Sequence, residues 1–151
     1  MARTESRWNA EEYAQHSSAQ AHWARELIGK LALRGYETLL DIGCGDGKIS
    51  AEIARIVAIG RVTGLDSSAE MIRLAAESFP REQYPNLTFV RQDATAIHLE
   101  EVFDVVFSNA ALHWVRDHVA VLRGIRHCLR PRGRILLQIE RVAENYLVSL
   151  H

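Results

Sequence analysis

The feature that most constrains the fold is a glycine-rich loop at residues 41–47, which reads Asp-Ile-Gly-Cys-Gly-Asp-Gly. A short apolar segment, Thr38–Ile42, leads into the loop, and Ile49, Ile53 and Val57 follow it at helical spacing. Glycine has no side chain to obstruct an approaching molecule, and it adopts backbone conformations that strain other residues. The order strand, glycine loop, helix therefore predicts an α/β fold with a small molecule bound at the loop. A loop that only turns tightly is the simpler alternative.

Apolar segments that end in polar residues recur along the chain. The predicted strands are Thr38–Ile42, Val62–Leu65, Leu87–Arg91, Phe103–Phe107 and Arg134–Ile139. Helical patterns lie between several of them, with Ser67 to Glu70 as a capping box for one helix. Such alternation favours parallel strands joined by right-handed crossovers, with ligands at the carboxyl ends of the strands. We expect a doubly wound, mostly parallel sheet of about five strands with helices on both faces.

The length of 151 residues suits one domain. We expect residues 1–151 to form it, with a helical segment at 1–35, the α/β core at 36–140 and an atypical tail at 141–151. A helix over about 10–33 and a turn at Pro131-Arg132-Gly133 before the last strand complete the prediction.

Composition narrows the class of protein. The formal charge is -1, so net charge does not favour nucleic acid or an anionic membrane as a partner. No segment approaches the roughly 20 apolar residues of a membrane span, and acidic residues interrupt the N-terminus where a signal peptide is apolar. Cys44 and Cys128 are too far apart for a disulfide framework or a zinc site, so we expect no metal and a cytoplasmic location.

The charges near the loop indicate which ligand it binds. The dinucleotide fingerprint requires a glycine at position 48, but Lys48 stands there, which disfavours NAD. Asp41 and Asp46 suit a cationic sulfonium better than a pyrophosphate. Asp66 ends the second strand, where a carboxylate accepts hydrogen bonds from two ribose hydroxyls. A favourable charge at a helix N-terminus is its alternative role, and both roles are compatible.

Two further positions suit a nucleoside. Asp93 and Ala94 follow the third strand, where an exposed carboxylate accepts a hydrogen bond from an adenine amino group. Met71 either packs on the adenine ring or fills the core, and core packing is the simpler interpretation.

Several of these patterns together resemble class I S-adenosylmethionine-dependent methyltransferases. The matching segments are Asp41-x-Gly43-x-Gly45-x-Gly47, Asp66-x-Ser68-x-x-Met71, Asp93-Ala94, Phe103 to Ala110, and Leu129 to Arg134. The resemblance implies S-adenosylmethionine as cofactor, S-adenosylhomocysteine as product and a Rossmann-like fold. The cofactor-binding residues predicted from the patterns and the resemblance are Asp41, Gly43, Cys44, Gly45, Gly47, Asp66, Ser67, Met71, Asp93, Ala94, Asn109 and Trp114.

A narrower similarity concerns the acceptor. Ser108 to Val115 and Trp8-Asn9-x-x-x-Tyr13 resemble trans-aconitate methyltransferases, which esterify a carboxylate of a small tricarboxylic acid. The implied partner is a small molecule, such as a di- or tricarboxylic acid. Polar residues near the N-terminus either form a lid over the cofactor, as N-terminal helices do in related methyltransferases, or lie on a surface helix. These residues are Tyr13, His16, Ser17 and Gln20.

The resemblance extends from about Trp8 to Gln138, and the family usually continues beyond that point. We therefore expect the chain to lack the C-terminal part that supplies two more strands and much of the acceptor site. The fifth strand then has an open edge, which favours homo-oligomerisation unless the tail covers it.

His113 and Trp114 follow the fourth strand, where the reacting methyl group should lie. His113 either orients or deprotonates the acceptor, as the candidate catalytic residue, or packs under the next helix. Trp114 either contacts the sulfonium by a cation-π interaction or packs there too. A set of arginines either binds an acidic substrate or is a solvated basic surface, the stronger interpretation. These arginines are Arg123, Arg126, Arg130, Arg132 and Arg134.

Two functions from different classes remain open. One is a methyltransferase acting on a small-molecule acceptor, most simply a carboxylate oxygen, because methyl transfer to a carboxylate needs no dedicated base. The other is an S-adenosylmethionine-binding module without a complete acceptor site. Methylation of a base amino group is disfavoured, because the segment starting at Asn109 lacks the two prolines of an Asn-Pro-Pro-Tyr motif.

Overall fold

A computed structural model describes residues 19, 21–139 and 146–150, the last five through their backbone alone. The chain divides into two compact units, residues 1–32 and 33–151. In the first unit, residues 21–30 form helix α1, in which the buried Ala24, Leu27 and Ile28 repeat at helical spacing. The predicted first turns of this helix, with the lid residues Tyr13, His16, Ser17 and Gln20, lie outside the described residues.

The second unit alternates strands and helices as the sequence predicts. Its elements are β1 Thr38–Ile42, α2 Lys48–Ile56, β2 Arg61–Asp66, α3 Ala69–Ser78, β3 Leu87–Arg91, β4 Phe103–Asn109, α4 His118–Cys128, β5 Leu129–Ile139 and β6 Tyr146–Leu150. The sheet order is β3-β2-β1-β4-β5-β6, in which β6 alone pairs antiparallel. The first five strands confirm the predicted doubly wound parallel sheet.

The strand order reverses between β1 and β4, which pair in parallel at the centre of the sheet. Successive side chains of β1 face opposite sides of the sheet. Leu40 and Ile42 pack in a core cluster with Val121 and Ile125 of α4, whereas Asp41 faces the opposite side, where α2 lies. Helices therefore cover both faces, and the reversal of strand order between β1 and β4 is the position where this fold class forms a ligand crevice.

Local capping explains where two of the helices begin. The Ser68 hydroxyl caps α3 by accepting a hydrogen bond from the Met71 amide at 3.3 Å, so the cap lies one residue later than the predicted capping box. Asp117 caps α4 in the same way through the Ala120 amide at 3.0 Å. No helix within the described ranges is both long and apolar enough to cross a membrane.

The start of the fifth strand differs from the prediction. β5 begins at Leu129 instead of Arg134, and α4 ends at Cys128. The pairing of β4 with β5 jumps from Phe103↔Leu129 to Val105↔Arg134, so the predicted turn at Pro131-Arg132-Gly133 is a bulge inside the strand. Proline occurs both in turns before a strand and in bulges inside one, because it lacks the N–H that a regular hydrogen-bonded ladder requires. The sequence pattern is therefore the same in both cases.

The outer edge of β5 is paired at its carboxyl-terminal end by the predicted tail. Residues 146–150 of the predicted tail form β6, and Leu137 faces Val148 in antiparallel register. The pairing covers residues 135–139 of β5. Over these residues the tail covers the edge, which is one of the two possibilities stated above, and self-association stays a prediction.

Candidate functional site

A cleft of about 640 Å³ lies at the carboxyl ends of the central strands, at the reversal of strand order. Residues that follow β1, β2, β3 and β4 meet there. The lining residues are Ile42, Gly43, Leu65, Asp66, Ser67, Gln92, Asp93, Ala94, Thr95, Ala110, Ala111, Leu112, Trp114, Val115, Arg116 and Asp117. A volume of this size is typical of small-molecule and cofactor sites.

Six of the predicted cofactor-binding residues line this cleft: Gly43, Asp66, Ser67, Asp93, Ala94 and Trp114. The other six, Asp41, Cys44, Gly45, Gly47, Met71 and Asn109, lie outside the lining, as does His113. The topology thus brings the ends of four separate sequence motifs to one place. Direct contact of each residue with a ligand stays a prediction.

The glycine loop is fixed to the end of β2. The amides of Gly43 and Cys44 donate to the Leu65 carbonyl at 2.7 and 3.0 Å, and the Gly45 amide donates to Oδ2 of Asp66 at 3.0 Å. The φ angles of Gly43, Gly45 and Gly47 are 76°, 53° and 82°, in the left-handed region that favours glycine. The sequence therefore needs glycine here to bend the backbone.

The three glycines have different surroundings. A Cβ on Gly43 would lie 2.2 Å from the Cβ of Ala111, so the loop after β4 packs directly against this glycine. A Cβ on Gly47 would lie 2.7 Å from the ring of Phe89. A Cβ on Gly45 would meet nothing within 4 Å. Gly43 and Gly47 thus serve packing within the protein, and open space lies beside Gly45.

Asp66 ends β2 and has two structural partners. Its Oδ2 accepts from the Gly45 amide, and its Oδ1 accepts from the Ser68 amide at 2.9 Å. Each carboxylate oxygen has two lone pairs, so each retains capacity for one further donor. Because Asp66 lines the cleft, the two hydroxyls of a ribose fit this remaining capacity.

Asp93 is the second acidic residue of the cleft. Its Oδ1 accepts from the Thr95 amide at 2.8 Å and from the Thr95 hydroxyl at 2.7 Å. These two hydrogen bonds lower the pKa of the Asp93 carboxyl, the backbone one most. Asp93 is therefore ionised at neutral pH, as an acceptor for an amino group requires.

Asp41 faces away from the cleft, because neighbouring β1 side chains alternate between the two faces of the sheet. Its Oδ2 accepts from the Ser50 hydroxyl at 2.6 Å, beneath α2. The pKa of Asp41 is raised to about 6, mainly by burial, while the Ser50 hydrogen bond lowers it and the nearby Asp66 charge raises it. Asp41 is thus placed to hold α2 behind the glycine loop, and its direct contact with a ligand stays a prediction.

The raised pKa of Asp41 predicts a pH-dependent stability. Between its unfolded value of 3.8 and about 6, the folded state binds more protons than the unfolded state, so the contribution of this group falls as pH rises. Relative to the parent, Asp41→Asn is expected to gain roughly 2 kcal/mol of unfolding free energy between pH 4 and pH 8. Urea unfolding at both pH values measures the gain.

The exposed Glu82 provides the control for this experiment. The Glu82→Gln variant is expected to follow the parent at both pH values. An Asp41→Asn difference that does not change with pH would show that Asp41 is not held in a desolvating environment.

The exposure of His113 and Trp114, which follow β4, contradicts one of the two interpretations of these residues. Trp114 is 83% exposed and lines the cleft, while His113 is exposed and lies outside the lining. Their ring centroids are 4.8 Å apart. The alternative that both pack under α4 is therefore wrong, because both side chains face solvent.

Sequence reasoning did not select Arg116 and Asp117 as site residues, although both line the cleft. In the sequence, the two residues directly follow the segment from Ser108 to Val115, and this position is the feature that could have selected them. Asp117 was recognisable as a helix cap, whereas only the path of the loop after β4 reveals that Arg116 reaches the cleft.

The arginines selected from the sequence lie elsewhere. None of the five lines the cleft; they are Arg123, Arg126, Arg130, Arg132 and Arg134. Arg130 instead pairs with Asp104 at 3.1 Å, and the Asp104 carboxylate also accepts from the Thr38 amide at the amino end of β1. A solvated basic surface describes these arginines better than an acceptor site.

The two cysteines are buried, and burial raises the pKa of both thiols. A Cβ on Gly64 would lie 3.0 Å from Sγ of Cys44, so this thiol fills the space above β2. Both cysteines are placed as packing residues, and cofactor contact by Cys44 stays a prediction.

Comparison with known proteins identifies the family. Residues 40–137 match the model of a family described as methyltransferase domain. The chain belongs to this family. Its members use S-adenosylmethionine, which confirms the predicted cofactor at the level of the family.

Individual relatives agree with this assignment. A trans-aconitate 2-methyltransferase of Deinococcus radiodurans is 37% identical over 132 residues, which are 87% of this chain and 49% of that protein. The chain spans about half the length of the curated relatives it matches.

Among solved structures, coclaurine N-methyltransferase bound to N-methylheliamine and S-adenosylhomocysteine has a TM-score of 0.72. It is 20% identical, over 80% of this chain and 36% of that one. Phosphoethanolamine N-methyltransferase 2 of Haemonchus contortus, in complex with S-adenosylmethionine, also has a TM-score of 0.72. It is 25% identical, over 78% of this chain and 28% of that one. These similarities confirm the predicted fold.

Proposed function

We propose that the chain binds S-adenosylmethionine in the cleft and transfers its methyl group to a carboxylate oxygen of a small acid. One observation carries the proposal. The reversal of strand order brings Asp66, Asp93 and the segment after β4 around a single cleft of about 640 Å³. In this fold class such a position binds nucleoside-containing ligands.

The residues present fit the cofactor. Asp66 retains two acceptor positions toward the cleft, as the two hydroxyls of a ribose require. Asp93 is an ionised acceptor beside Ala94, which suits the amino group of adenine. The exposed ring of Trp114 lies on the β4 side of the cleft and suits a cationic sulfonium.

When bound, the cofactor supplies an activated methyl group on a positively charged sulfur. The protein then has to position an acceptor oxygen in line with that methyl group and exclude water. Apolar surface that can position the acceptor and exclude water lies near the end of β4, on Leu112, Trp114 and Val115. An ionised carboxylate is already a nucleophile, so no described residue has to remove a proton.

The identity of the acceptor rests on relatives. The trans-aconitate 2-methyltransferase of Deinococcus radiodurans supports a tricarboxylic acid similar to trans-aconitate. Catalysis by His113 gains no support from its exposed position outside the cleft lining. A cytoplasmic location and self-association also stay predictions.

A second candidate function stays open. The chain spans about half of the matched relatives, and a cofactor-binding module without a complete acceptor site is the alternative prediction. In that case it binds the cofactor and transfers no methyl group by itself.

Two measurements test the proposal. Calorimetric titration is expected to show binding of S-adenosylhomocysteine and none of NAD; the reverse result would contradict the cofactor assignment. Methyl transfer from labelled S-adenosylmethionine to a panel of small mono-, di- and tricarboxylic acids is then measured. Turnover with any acid supports the enzyme. Tight cofactor binding without turnover supports the module.

A further inference from the structure

The charges of the cleft are distributed unevenly. Asp66 and Asp93 lie at the ends of β2 and β3, where the cofactor is proposed to bind. Arg116 lies in the segment after β4, and of the described residues that line the cleft it alone is basic. The side of the cleft next to β4 therefore has one cationic group, Arg116, next to one carboxylate, Asp117.

The surroundings of Arg116 leave its guanidinium available. No described carboxylate lies within 4 Å of it, in contrast to Arg130, which pairs with Asp104. The neighbouring Asp117 is engaged as the cap of α4, where its Oδ1 accepts from the Ala120 amide at 3.0 Å. An exposed guanidinium at the wall of a cleft is a suitable partner for a carboxylate, which it binds through two parallel hydrogen bonds.

We infer that Arg116 is a specificity-determining residue that binds a carboxylate of the acceptor other than the one that is methylated. The inference rests on the proposed function and defines its substrate class as acids with at least two carboxylates. A guanidinium paired with the attacking oxygen would lower the nucleophilicity of that oxygen. The pairing is therefore productive only with a second carboxylate.

The neighbours of Arg116 are consistent with this role. Trp114 and Val115 precede it in the same wall of the cleft and offer apolar surface to the carbon skeleton of the acid. A monocarboxylic acid of the same length has nothing to pair with the guanidinium once its own carboxylate faces the methyl group. Arg116 thus selects for charge at the end of the acceptor that does not react.

Binding of two acids tests the inference. The protein is saturated with S-adenosylhomocysteine and titrated calorimetrically with propane-1,2,3-tricarboxylate or with butyrate. Arg116→Gln is expected to raise the Kd for the tricarboxylate about 10-fold or more, because a charge-assisted bidentate pair is lost. Arg116→Lys is expected to recover part of that loss. The Kd for S-adenosylhomocysteine is expected to stay the same in both variants.

Arg123→Gln is the matched control, since Arg123 is an exposed arginine on α4 outside the cleft. It should bind the tricarboxylate as the parent does. The inference is overturned if Arg116→Gln binds the tricarboxylate as tightly as the parent, if the parent prefers butyrate, or if the parent binds S-adenosylhomocysteine but no tricarboxylate. Failure of the parent to bind S-adenosylhomocysteine would instead contradict the proposed function.

Discussion

Replacing Asp66 by alanine is expected to weaken S-adenosylhomocysteine binding at least about 100-fold, since hydrogen bonds to a charged group contribute roughly 1.5–3 kcal/mol each. The substitution removes the proposed acceptor of two ribose hydroxyls. It also releases the Gly45 and Ser68 amides, so the glycine loop loses its tie to the end of β2. Calorimetric titration measures the loss, at a temperature where circular dichroism shows both proteins folded.

Asp46→Ala is the matched control for Asp66→Ala. Asp46 is a carboxylate within the glycine loop, but it lies outside the cleft lining and its ion pair with Lys48 is largely solvated. Its removal is expected to change the Kd less than about threefold. Equal binding by the parent and Asp66→Ala would show that this carboxylate does not hold the ligand.

Gly43→Ala is expected to have the second large effect, on stability and on binding together. The new Cβ would lie 2.2 Å from the Cβ of Ala111, and the φ of 76° is unfavourable for alanine. Left-handed strain and overpacking together are expected to cost about 2–4 kcal/mol of unfolding free energy. Because Gly43 and Ala111 both line the cleft, their separation should also weaken S-adenosylhomocysteine binding about 10-fold or more. Urea unfolding and calorimetry measure the two effects.

Substitutions at two other glycines separate the effect of left-handed strain and the effect of lost stability from a specific effect on ligand binding. Gly45→Ala introduces a Cβ into open space at a φ of 53°, so only the left-handed strain of about 1 kcal/mol is expected. Gly60→Ala places a Cβ 2.1 Å from the Glu37 carbonyl oxygen, at the amino end of β2. It should lower stability without a specific effect on binding. A Gly43→Ala variant with the stability and affinity of the parent would show that the two loops do not pack closely.

The parts of the fold that sequence predicted are those that local patterns determine. The glycine loop, the apolar strands and the polar residues at their carboxyl ends each have a signal within a few neighbouring residues. Asp66 and Asp93 were predicted for this reason, since parallel strands bring their carboxyl ends to one edge. The sheet order then places both side chains at the same cleft.

The parts that sequence did not predict depend on contacts between distant segments. Asp41 belongs to the glycine motif, yet strand alternation turns its side chain toward Ser50 and away from the cleft. The bulge at Pro131-Arg132-Gly133 is determined by the pairing of β5 with β4. The position of β6 is determined by its pairing with β5. Arg116 reaches the cleft only through the path of the chain after β4.

A crystal structure of the protein with S-adenosylhomocysteine is the most direct test of the cleft as the cofactor site. The expected result is an adenosine between the glycine loop and the segment after β4, with both ribose hydroxyls on Asp66 and the adenine amino group near Asp93. A ligand bound elsewhere, or a cleft closed by side chains with Asp66 turned away from the ligand, would contradict it.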